Sequence, residues 1–308
     1  MAAHHVLVSG ATGFLGAHLV ATLKGIADTE VTALLRPGHN PASRLTSGDC
    51  KHISADIRDG DAVRTVFRET QPTHVINAAT YGVNTAQNSF AEYVAVNVMG
   101  TYNLLSASAE AAVKRFTQIG SYFEYGRQEG PVYETVSLRP ESTYAATKAA
   151  AGLMLRDQRL CGKMETVIAR AFHLWGPGEA AHRLTPQVIR ACREHRKLDL
   201  TEGRQVKDFT YVRDASRWVC ALTLHSKRLP YIEFNIAGGQ RSSVREFATQ
   251  IAHEMNGVEF LRFGNKAMPG REPPSGIAET DRLKEVLGDL HPTDISAAIT
   301  ETIAELST

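Results

Sequence analysis

The sequence predicts an α/β protein: a doubly wound parallel sheet with a second, smaller C-terminal region. In the first half of the chain, short runs rich in β-branched residues alternate with longer amphipathic segments, which is the pattern of repeated βαβ units. A glycine-rich turn follows the first apolar run. The length of 308 residues suits one large α/β unit or two coupled domains.

Six strands and four helices are predicted in the N-terminal half. Each strand is a short apolar run, and each helix is a longer segment whose apolar residues recur at helical spacing. The predicted strands cover 5–9, 30–35, 51–54, 74–77, 115–119 and 166–171, and the predicted helices cover 13–26, 61–70, 86–109 and 142–161.

The composition excludes several classes of protein. The 34 Lys and Arg nearly cancel the 33 Asp and Glu, so a formal charge of +1 gives no electrostatic attraction to nucleic acid or anionic membranes. No apolar run approaches the ~20 residues of a membrane helix. The first ten residues lack the features of a secretory signal, so we expect a cytoplasmic protein with a small soluble partner.

The cysteines are far apart and lack metal-ligand spacing, which predicts reduced packing residues and no metal site; they are Cys50, Cys161, Cys192 and Cys220.

Three glycines at three-residue spacing follow the first predicted strand and open the first predicted helix. They are Gly10, Gly13 and Gly16. The first permits a tight turn, the second lets the backbone approach a pyrophosphate, and the third lets the helix pack closely on the strand. A purely structural turn is the alternative, but a strand before and a helix after favour a dinucleotide-binding turn.

Residues after the next three strands extend this cofactor prediction. Arg36 ends the second strand, where an NAD-selective fold usually carries an Asp or Glu for the ribose 2′-hydroxyl. A guanidinium suits a 2′-phosphate, so NADP(H) is favoured; NAD(H) with a solvated loop arginine is the alternative. The segment Asp56-Ile57-Arg58-Asp59 follows the third strand and could bracket an adenine. Ala78 and Ala79 follow the fourth, where a ribose would pass.

A tyrosine and a lysine lie four residues apart in the helix predicted after the fifth strand. Tyr144 and Lys148 therefore share one helix face, and the ammonium stabilises the tyrosinate form of a phenol whose ordinary pKa is about 10. Ser121, after the fifth strand, can donate a second hydrogen bond to an oxygen that gains negative charge. These groups together predict hydride transfer to or from a carbonyl.

Beyond Arg170 the alternation of strands and helices loosens. Gly and Pro cluster at 176–178 and 269–274, and the elements become shorter. We therefore predict a dinucleotide-binding domain over 1–171 and a mainly substrate-binding region over 172–308, with some segments returning to the first domain. No repeat or long linker lies between them, so we expect the two regions to enclose a cleft.

With these motifs the chain resembles the extended short-chain dehydrogenase/reductase family of nucleotide-sugar enzymes over nearly its whole length. The resemblance implies a Rossmann cofactor domain and a C-terminal region that binds the nucleoside diphosphate of a sugar. The matching residues, in family order, are Gly10, Gly13 and Gly16; Asn97-Val98-Met99-Gly100-Thr101; Ser121 with Glu124-Tyr125-Gly126; Leu138-Arg139-Pro140; Tyr144 and Lys148; Trp175-Gly176-Pro177-Gly178; and Lys207-Asp208-Phe209-Thr210-Tyr211-Val212.

The resemblance also implies roles for individual residues. Tyr144 is the acid/base, Lys148 holds the nicotinamide ribose and Ser121 polarises the sugar carbonyl. The expected cofactor contacts are Gly10, Thr12, Gly13, Phe14, Leu15, Gly16, Arg36, Asp56, Ile57, Ala78, Ala79, Asn97 and Lys148, and the expected substrate contacts are Thr80, Asn84, Tyr122, His173, Lys207 and Arg271.

Several positions depart from the common family pattern. His173 stands where many members have Asn, and Lys207 stands where an Arg usually reaches a phosphate; both can donate to an anion. A buried structural imidazole and a solvated lysine are the alternatives. Arg213 replaces a usual acidic residue, whereas Arg271 matches a family arginine that contacts the diphosphate.

Three reactions of a sugar nucleotide compete: 4-keto reduction, 4-epimerisation and 4,6-dehydration. Related dehydratases carry an Asp-Glu pair directly after the catalytic hydroxyl residue, whereas Tyr122 and Phe123 follow Ser121 here. Glu124 comes one step late and would face the opposite side of an extended segment. Related epimerases recycle tightly held NAD⁺, whereas Arg36 indicates exchangeable NADPH. We therefore expect an NADPH-dependent reductase of a nucleoside-diphosphate 4-keto-6-deoxyhexose in deoxysugar biosynthesis, with a 4-epimerase as the alternative.

Two further expectations concern the class of protein and its assembly. A non-catalytic sensor or scaffold on the same fold is a second alternative, although it would not need the intact set of Ser121, Tyr144 and Lys148. A homodimer is expected, paired through the two long helices that flank the fifth strand. Their apolar stripes, which would equally suit packing on the sheet, contain Tyr93, Val94, Val98, Tyr102, Leu105, Ala150, Leu153 and Met154.

Overall fold

A seven-stranded parallel sheet forms the centre of the molecule. The computed structural model describes residues 3–38, 45, 50–82, 87–162, 164–267 and 276–306. In these residues the strands are β1 (His4–Ser9), β2 (Thr29–Leu35), β3 (Lys51–Ser54), β4 (His74–Asn77), β5 (Arg115–Ser121), β6 (Glu165–Ala171), β7 (Leu174–Trp175), β8 (Leu198–Leu200), β9 (Val206–Asp208), β10 (Thr210–Tyr211), β11 (Glu233–Ile236), β12 (Arg241–Ser243) and β13 (Leu261–Phe263).

The strand order of the central sheet is β11-β6-β5-β4-β1-β2-β3, and every neighbouring pair is parallel. The order reverses between β1 and β4, so the chain leaves these two strands in opposite directions. In doubly wound sheets ligands bind outside the carboxyl ends of the strands at such a point. The predicted fold class is confirmed.

The prediction of six strands was one short, because β11 comes from the C-terminal half. It pairs with β6, with Asn235 opposite Arg170. Its sequence, Glu-Phe-Asn-Ile, does not read as an apolar run. All four residues are nevertheless buried, since Arg156 pairs with Glu233 and Tyr125 hydrogen-bonds to Asn235.

The helices cover both faces of the sheet. None in the described part of the chain combines the length and apolar character needed to cross a bilayer. A π-helix, Tyr93–Met99, joins α3 to α4, and 3-10 turns lie at Tyr122–Tyr125 and Val258–Phe260. The α-helices are α1 (Phe14–Lys24), α2 (Gly60–Thr70), α3 (Phe90–Glu92), α4 (Gly100–Glu110), α5 (Thr143–Cys161), α6 (Leu184–Arg193), α7 (Val212–Leu224), α8 (Val244–Glu254), α9 (Asp281–Leu287) and α10 (Ile295–Glu305).

Side-chain caps explain where two predicted helices begin. The Asp59 carboxylate accepts the Asp61 and Ala62 N–H groups at 3.0 and 3.1 Å, which starts α2. Ser142 accepts the Ala145 N–H at 3.2 Å and starts α5.

The predicted helix over 86–109 is instead three joined pieces: α3, the π-helix and α4. It begins at Phe90, because the Ser89 side chain accepts the Glu92 N–H and caps the first turn.

Three apolar clusters make up most of the core. One lies between the sheet and α1 with α7, and includes Leu19 and Val219. The second lies on the opposite face, under α2, α4 and α5, and includes Phe67 and Leu104. The third belongs to the C-terminal half, where Phe247 packs on neighbouring aromatic rings beside the small two-stranded sheets.

The cysteines follow the predicted packing role only in part. All four are free thiols, and Cys192 and Cys220 are buried. Cys161, at the end of α5, is exposed, so it is not a packing residue.

Candidate active site

The predicted phosphate-binding turn lies where β1, α1 and the segment after β4 approach one another. Gly10 has a φ of +68°, and a Cβ there would lie 2.5 Å from both the carbonyl carbon of Ala78 and the nitrogen of Ala79. A Cβ at Gly16 would overlap the Gly10 carbonyl oxygen. Only glycine fits at these two positions, so the two glycines are what allow α1 and the segment after β4 to approach the turn this closely.

The N-terminus of α1 fits an anion. The helix begins at Phe14 after Gly13, which provides no side-chain cap, and its first turn contains no acidic residue. Free backbone N–H groups and the helix dipole at such a terminus favour a phosphate. Thr12 and Phe14 are half-buried beside this turn. The Leu15 side chain is buried in the core, so any contact from Leu15 comes through its backbone.

Arg36 and Asp56 lie at the carboxyl ends of β2 and β3, which are neighbours in the sheet. Arg36 is exposed. Asp56 is engaged by Arg58, whose Nε lies 3.0 Å from each carboxylate oxygen and whose Nη1 reaches Glu92 at 3.0 Å. Hydrogen bonds from Arg58, with a smaller contribution from Arg36, lower the pKa of Asp56. Arg58 belongs to the segment Asp56-Ile57-Arg58-Asp59 that was predicted to bracket an adenine, and here it pairs with Asp56 and Glu92.

The side chains of two other predicted cofactor residues make contacts within the protein. The Ile57 side chain packs against Gly100, where a Cβ would lie 2.6 Å from its terminal methyl. Asn97, in the π-helix, accepts the Tyr81 N–H at 2.8 Å and donates to Thr147 Oγ1 at 3.0 Å. Asn97 thus ties the segment after β4 to α5, and its direct contact with a dinucleotide stays a prediction.

Ser121, Tyr144 and Lys148 come together at the carboxyl end of β5. Ser121 is the last residue of β5, and Tyr144 and Lys148 lie one turn apart in α5. Burial raises the pKa of Tyr144 to about 12, although the hydroxyls of Ser121 and Thr80 hydrogen-bond to it and oppose this rise. Burial lowers the pKa of Lys148 to about 8, and the Glu124 carboxylate opposes this fall. At neutral pH the phenol therefore carries its proton. The predicted stabilisation of the tyrosinate by Lys148 is not borne out, because burial outweighs every group that lowers the Tyr144 pKa.

Tyr122, which follows Ser121, is buried, and its ring lies against that of half-buried His173. Their ring centroids are 4.3 Å apart, and Tyr122 also stacks on Phe172 at 5.5 Å. Within the described residues, Tyr122 Oη and His173 Nε2 are buried without a hydrogen-bond partner. Burial, with Lys207 nearby, lowers the pKa of His173, so the imidazole is neutral. Two unpartnered polar atoms on adjoining rings make this pair a candidate ligand-binding surface.

Lys207 lies on β9 and is 5% exposed, so the alternative of a solvated lysine is wrong. Burial and the Arg183 charge lower its pKa to about 7. The predicted substrate residues Asn84 and Arg271 lie outside the described residues.

Arg183 and Glu179 are further charged groups beside this surface; they lie in the stretch after Gly178, which the sequence favours as pocket lining without singling out either residue. Glu179 is buried, its pKa is raised by burial to about 7, and its Oε1 lies 3.5 Å from Arg183 Nε. The Arg183 charge also lowers the pKa of Lys207 and of His173. The only sequence signal was their position just after the Gly-Pro-Gly segment.

Comparison with known proteins identifies the family. The family model described as "NAD dependent epimerase/dehydratase family" matches residues 6–237. The chain belongs to this family. The predicted resemblance is confirmed, and so is the prediction of an enzyme that is an NAD(P)-dependent oxidoreductase or epimerase.

Curated members of the epimerase/dehydratase family include three informative relatives. The low-salt glycan biosynthesis protein Agl12 of Haloferax volcanii is 30% identical over 82% of this chain and 83% of its own. The uncharacterised UDP-glucose epimerase YtcB of Bacillus subtilis is 28% identical over 98% of both chains. The dTDP-glucose 4,6-dehydratase of Streptomyces griseus is 26% identical over 97% of this chain and 93% of its own.

Solved structures of family members superpose on nearly the whole chain. The UDP-glucuronic acid 4-epimerase of Bacillus cereus, in complex with UDP-glucuronic acid and NAD, is 25% identical with a TM-score of 0.86, over 98% of this chain and 99% of its own. The UDP-glucose 4-epimerase of Thermus thermophilus, in complex with NAD, shows the same fold at 22% identity and a TM-score of 0.85, over 98% and 99% of the two chains.

Proposed function

We propose that this enzyme reduces the 4-keto group of a nucleoside-diphosphate 4-keto-6-deoxyhexose with NADPH, as a step of deoxysugar synthesis. The observation that carries the proposal is the chemistry beside Ser121. Aromatic Tyr122 and Phe123 follow it, and the carboxylate of the next residue, Glu124, is buried in an ion pair with Arg170 and accepts the Ser121 backbone N–H. Elimination of water needs an additional acid and base beside the sugar ring, and Tyr122 and Phe123 supply no carboxylate there.

The protonation state of the site also favours reduction. A ketone that accepts a hydride must also accept a proton on its oxygen, and Tyr144 holds that proton at neutral pH. Ser121 would donate a second hydrogen bond to the same oxygen. Lys148 would hold the nicotinamide ribose, and bound NADPH would supply the hydride. One ketone, one NADPH and one proton then give one alcohol and one NADP⁺.

The preference for NADPH rests on Arg36. It follows β2, is exposed, and adds its charge to the environment of Asp56. A guanidinium in this position suits a 2′-phosphate. The similar solved structures named above contain NAD, which makes NAD the competing cofactor.

The substrate would lie against the buried surface of Tyr122, His173 and Lys207. The Lys207 ammonium suits a diphosphate, and the unpartnered atoms of Tyr122 and His173 suit hydroxyl or phosphate oxygens. The B. cereus epimerase binds UDP-glucuronic acid, which supports a nucleoside-diphosphate sugar as the substrate class.

A 4-epimerase is the second candidate. It is favoured by the likeness to the B. cereus UDP-glucuronic acid 4-epimerase across nearly the full length of both chains. An epimerase would use the same tyrosine and serine but would return the hydride to the sugar, with no net change in cofactor.

Cofactor stoichiometry separates the two candidates. The enzyme is incubated with nucleoside-diphosphate 4-keto-6-deoxyhexoses and NADPH, with Tyr144→Phe as the control. We expect one NADPH oxidised for each deoxysugar formed. Interconversion of two sugar nucleotides without loss of cofactor would reject the reductase and establish the epimerase.

We also propose that the enzyme is a homodimer. Exposed apolar side chains lie on the predicted helices: Met99 is 46% exposed, Tyr102 52% and Leu153 54%. Leu105, from the same predicted stripe, is buried and packs within the subunit. Sedimentation at micromolar concentration tests the proposal, and a single species at the 33.6 kDa chain mass would reject it.

A further inference from the structure

A buried ion pair lies directly beneath the proposed catalytic residues. Glu124 Oε2 and Arg170 Nε are 2.8 Å apart, and the two side chains are 0% and 1% exposed. Removing both charges from water is costly, so a pair at this depth is a poor way to gain stability. Its position beside Ser121 and Lys148 indicates a different use.

Glu124 holds the turn that contains Ser121. Its Oε1 accepts the Ser121 N–H at 2.7 Å, while Ser121 Oγ accepts the Phe123 N–H at 3.3 Å. These bonds form a capping box around the 3-10 turn Tyr122–Tyr125. Gly120 leaves the necessary room, because a Cβ there would lie 2.8 Å from Glu124 Oε1. The direction of the Ser121 side chain therefore depends on this carboxylate.

The second carboxylate oxygen faces α5. A Cβ at Gly152 would lie 3.9 Å from Glu124 Oε2, and Gly152 is one helical turn beyond Lys148 on the same face as Tyr144. The negative charge raises the pKa of Lys148 against the effect of burial. At this depth solvent screens the interaction only weakly.

Few titratable groups face Lys148 from the elements that pack on α5. The π-helix places an amide, Asn97, against Thr147, and neither group titrates. The charged group that acts on Lys148 is Glu124 from the 3-10 turn. Arg170 from β6 contacts Glu124 and Tyr125, and Tyr144 lies one turn before Lys148 on α5 itself.

Arg170 is fixed independently of Lys148. Its Nη1 donates to Tyr125 Oη at 3.1 Å, and Tyr125 in turn donates to Asn235 Oδ1 on β11 at 2.7 Å. The guanidinium also lies over the Tyr125 ring, 4.9 Å from its centroid. Arg170 therefore holds Glu124 on one side, and the other side of the Glu124 carboxylate is directed at Ser121 and α5.

We propose that Glu124 is a positioning residue of this active site: held by Arg170, it orients Ser121 and supplies the negative charge that faces the Lys148 ammonium. The inference rests on the proposed roles of Ser121 and Lys148 in catalysis. It explains why a costly buried charge occupies a position that an apolar residue could fill.

The test compares Glu124→Gln with Glu124→Asp by competitive acetylation of lysines across neutral and alkaline pH, with the Lys148 peptide quantified by mass spectrometry. This measurement needs neither substrate nor cofactor. In Glu124→Gln we expect the midpoint of Lys148 labelling to move to lower pH by about one pH unit. Glu124→Asp keeps the charge and should stay near the wild-type midpoint. In the enzymatic assay Glu124→Gln should lower kcat at least about tenfold through loss of Ser121 orientation, with little change in KM.

Glu134→Gln is the matched control. Glu134 is another buried carboxylate that accepts a backbone N–H, from Asn235 at 2.8 Å, but it pairs with Arg282. If Glu124→Gln does not fold, the double variant Glu124→Gln/Arg170→Gln removes both charges. Because loss of the Arg170 charge partly offsets loss of the carboxylate, the Lys148 midpoint should then move in the same direction by less than in Glu124→Gln. An unchanged Lys148 midpoint in a folded variant without Glu124, or an equal shift in Glu134→Gln, overturns the inference. Since labelling needs no turnover, this result is separate from the fate of the proposed reaction.

Discussion

The cofactor side and the substrate side of the proposed cleft are built from different kinds of structure. On the cofactor side, Gly10 and Arg36 follow long parallel strands of the central sheet. On the substrate side, Tyr122 lies on a 3-10 turn and Lys207 on a strand of three residues. The first side is a rigid framework that presents its backbone, and the second is assembled from side chains on short elements.

The two sides also differ in how their buried polar groups are satisfied. Asn77, at the end of β4, accepts from Ser9 at 2.5 Å and donates to Gln118 at 2.9 Å. By contrast, Tyr122 Oη and His173 Nε2 have no partner within the described residues. Because an unpaired buried polar group costs free energy, we infer that Asn77 on the cofactor side needs no hydrogen bond from a ligand, whereas Tyr122 and His173 on the substrate side gain hydrogen bonds on binding.

The largest expected effect lies where the two sides meet. Tyr144→Phe removes the proton donor, so kcat/KM should fall about 10³-fold while the dinucleotide dissociation constant changes little. Steady-state kinetics and a fluorescence titration with NADPH measure the two quantities. Tyr133→Phe, at an exposed position away from the proposed dimer helices, is the control. A Tyr144→Phe enzyme with substantial activity would remove Tyr144 from the chemistry.

A rigid cofactor side should respond to steric change. In Gly16→Ala the added Cβ would overlap the Gly10 carbonyl oxygen. We expect the free energy of unfolding to fall by about 1–3 kcal/mol and dinucleotide affinity to fall about tenfold or more. Denaturant unfolding and the same NADPH titration measure these changes. Gly25→Ala, at the other end of α1 with its nearest contact at 3.4 Å, is the matched control; equal effects in both variants would contradict the close-approach argument.

The substrate side should respond to pH. The pKa of Lys207 is about 7 without ligand, and a bound diphosphate would raise it. The ammonium is present below this pKa, so UDP or dTDP should bind best there and progressively less well as pH rises, with proton uptake near and above neutrality. Calorimetry in buffers of different ionisation enthalpy measures the uptake. Lys207→Met should bind about tenfold more weakly and without this uptake, whereas Lys197→Met, on the surface, should match the wild type. Uptake that persists in Lys207→Met would assign the proton to another group.

The smallest expected effect concerns cofactor choice. If Arg36 contacts a 2′-phosphate, the wild type should bind NADPH about tenfold more tightly than NADH, and Arg36→Asp should reverse that order. Competitive fluorescence titrations give both constants. Arg68→Asp, on α2, is the control for a change of surface charge. Equal affinities in the wild type, or a preference for NADH, would reject the role of Arg36.

The same division explains which parts of the fold and of the site could be predicted from the sequence. The first six strands of the sheet and the glycine turn were predictable, because their signals are local. The strand β11 was missed because Glu233 and Asn235 are buried only through partners far along the chain. Glu124 was expected on an extended segment facing away from Ser121, but residues 122–125 form a 3-10 turn that brings its carboxylate back.

Long-range pairing also limited what could be predicted of the substrate side. His173 and Lys207 were selected by family position, but their burial depends on chain segments that meet only in the fold. Gly276, for example, lies against the His173 ring so closely that a Cβ would be 2.7 Å from Nε2. No local pattern around either residue reveals such a contact.

The placement of β11 and α7 has a consequence for synthesis on the ribosome. When residue 171 has emerged, β6 is still an unpaired edge, and the face of α1 that packs on α7 is uncovered. The Arg115 guanidinium, at the start of β5, is also unpaired at this stage. Its acceptors, the carbonyls of Leu222 and His225 at 2.9 and 2.8 Å, have not yet been synthesised. The nascent sheet therefore remains exposed to aggregation until about residue 236 is released. A chaperone that shields strand edges would act in that interval.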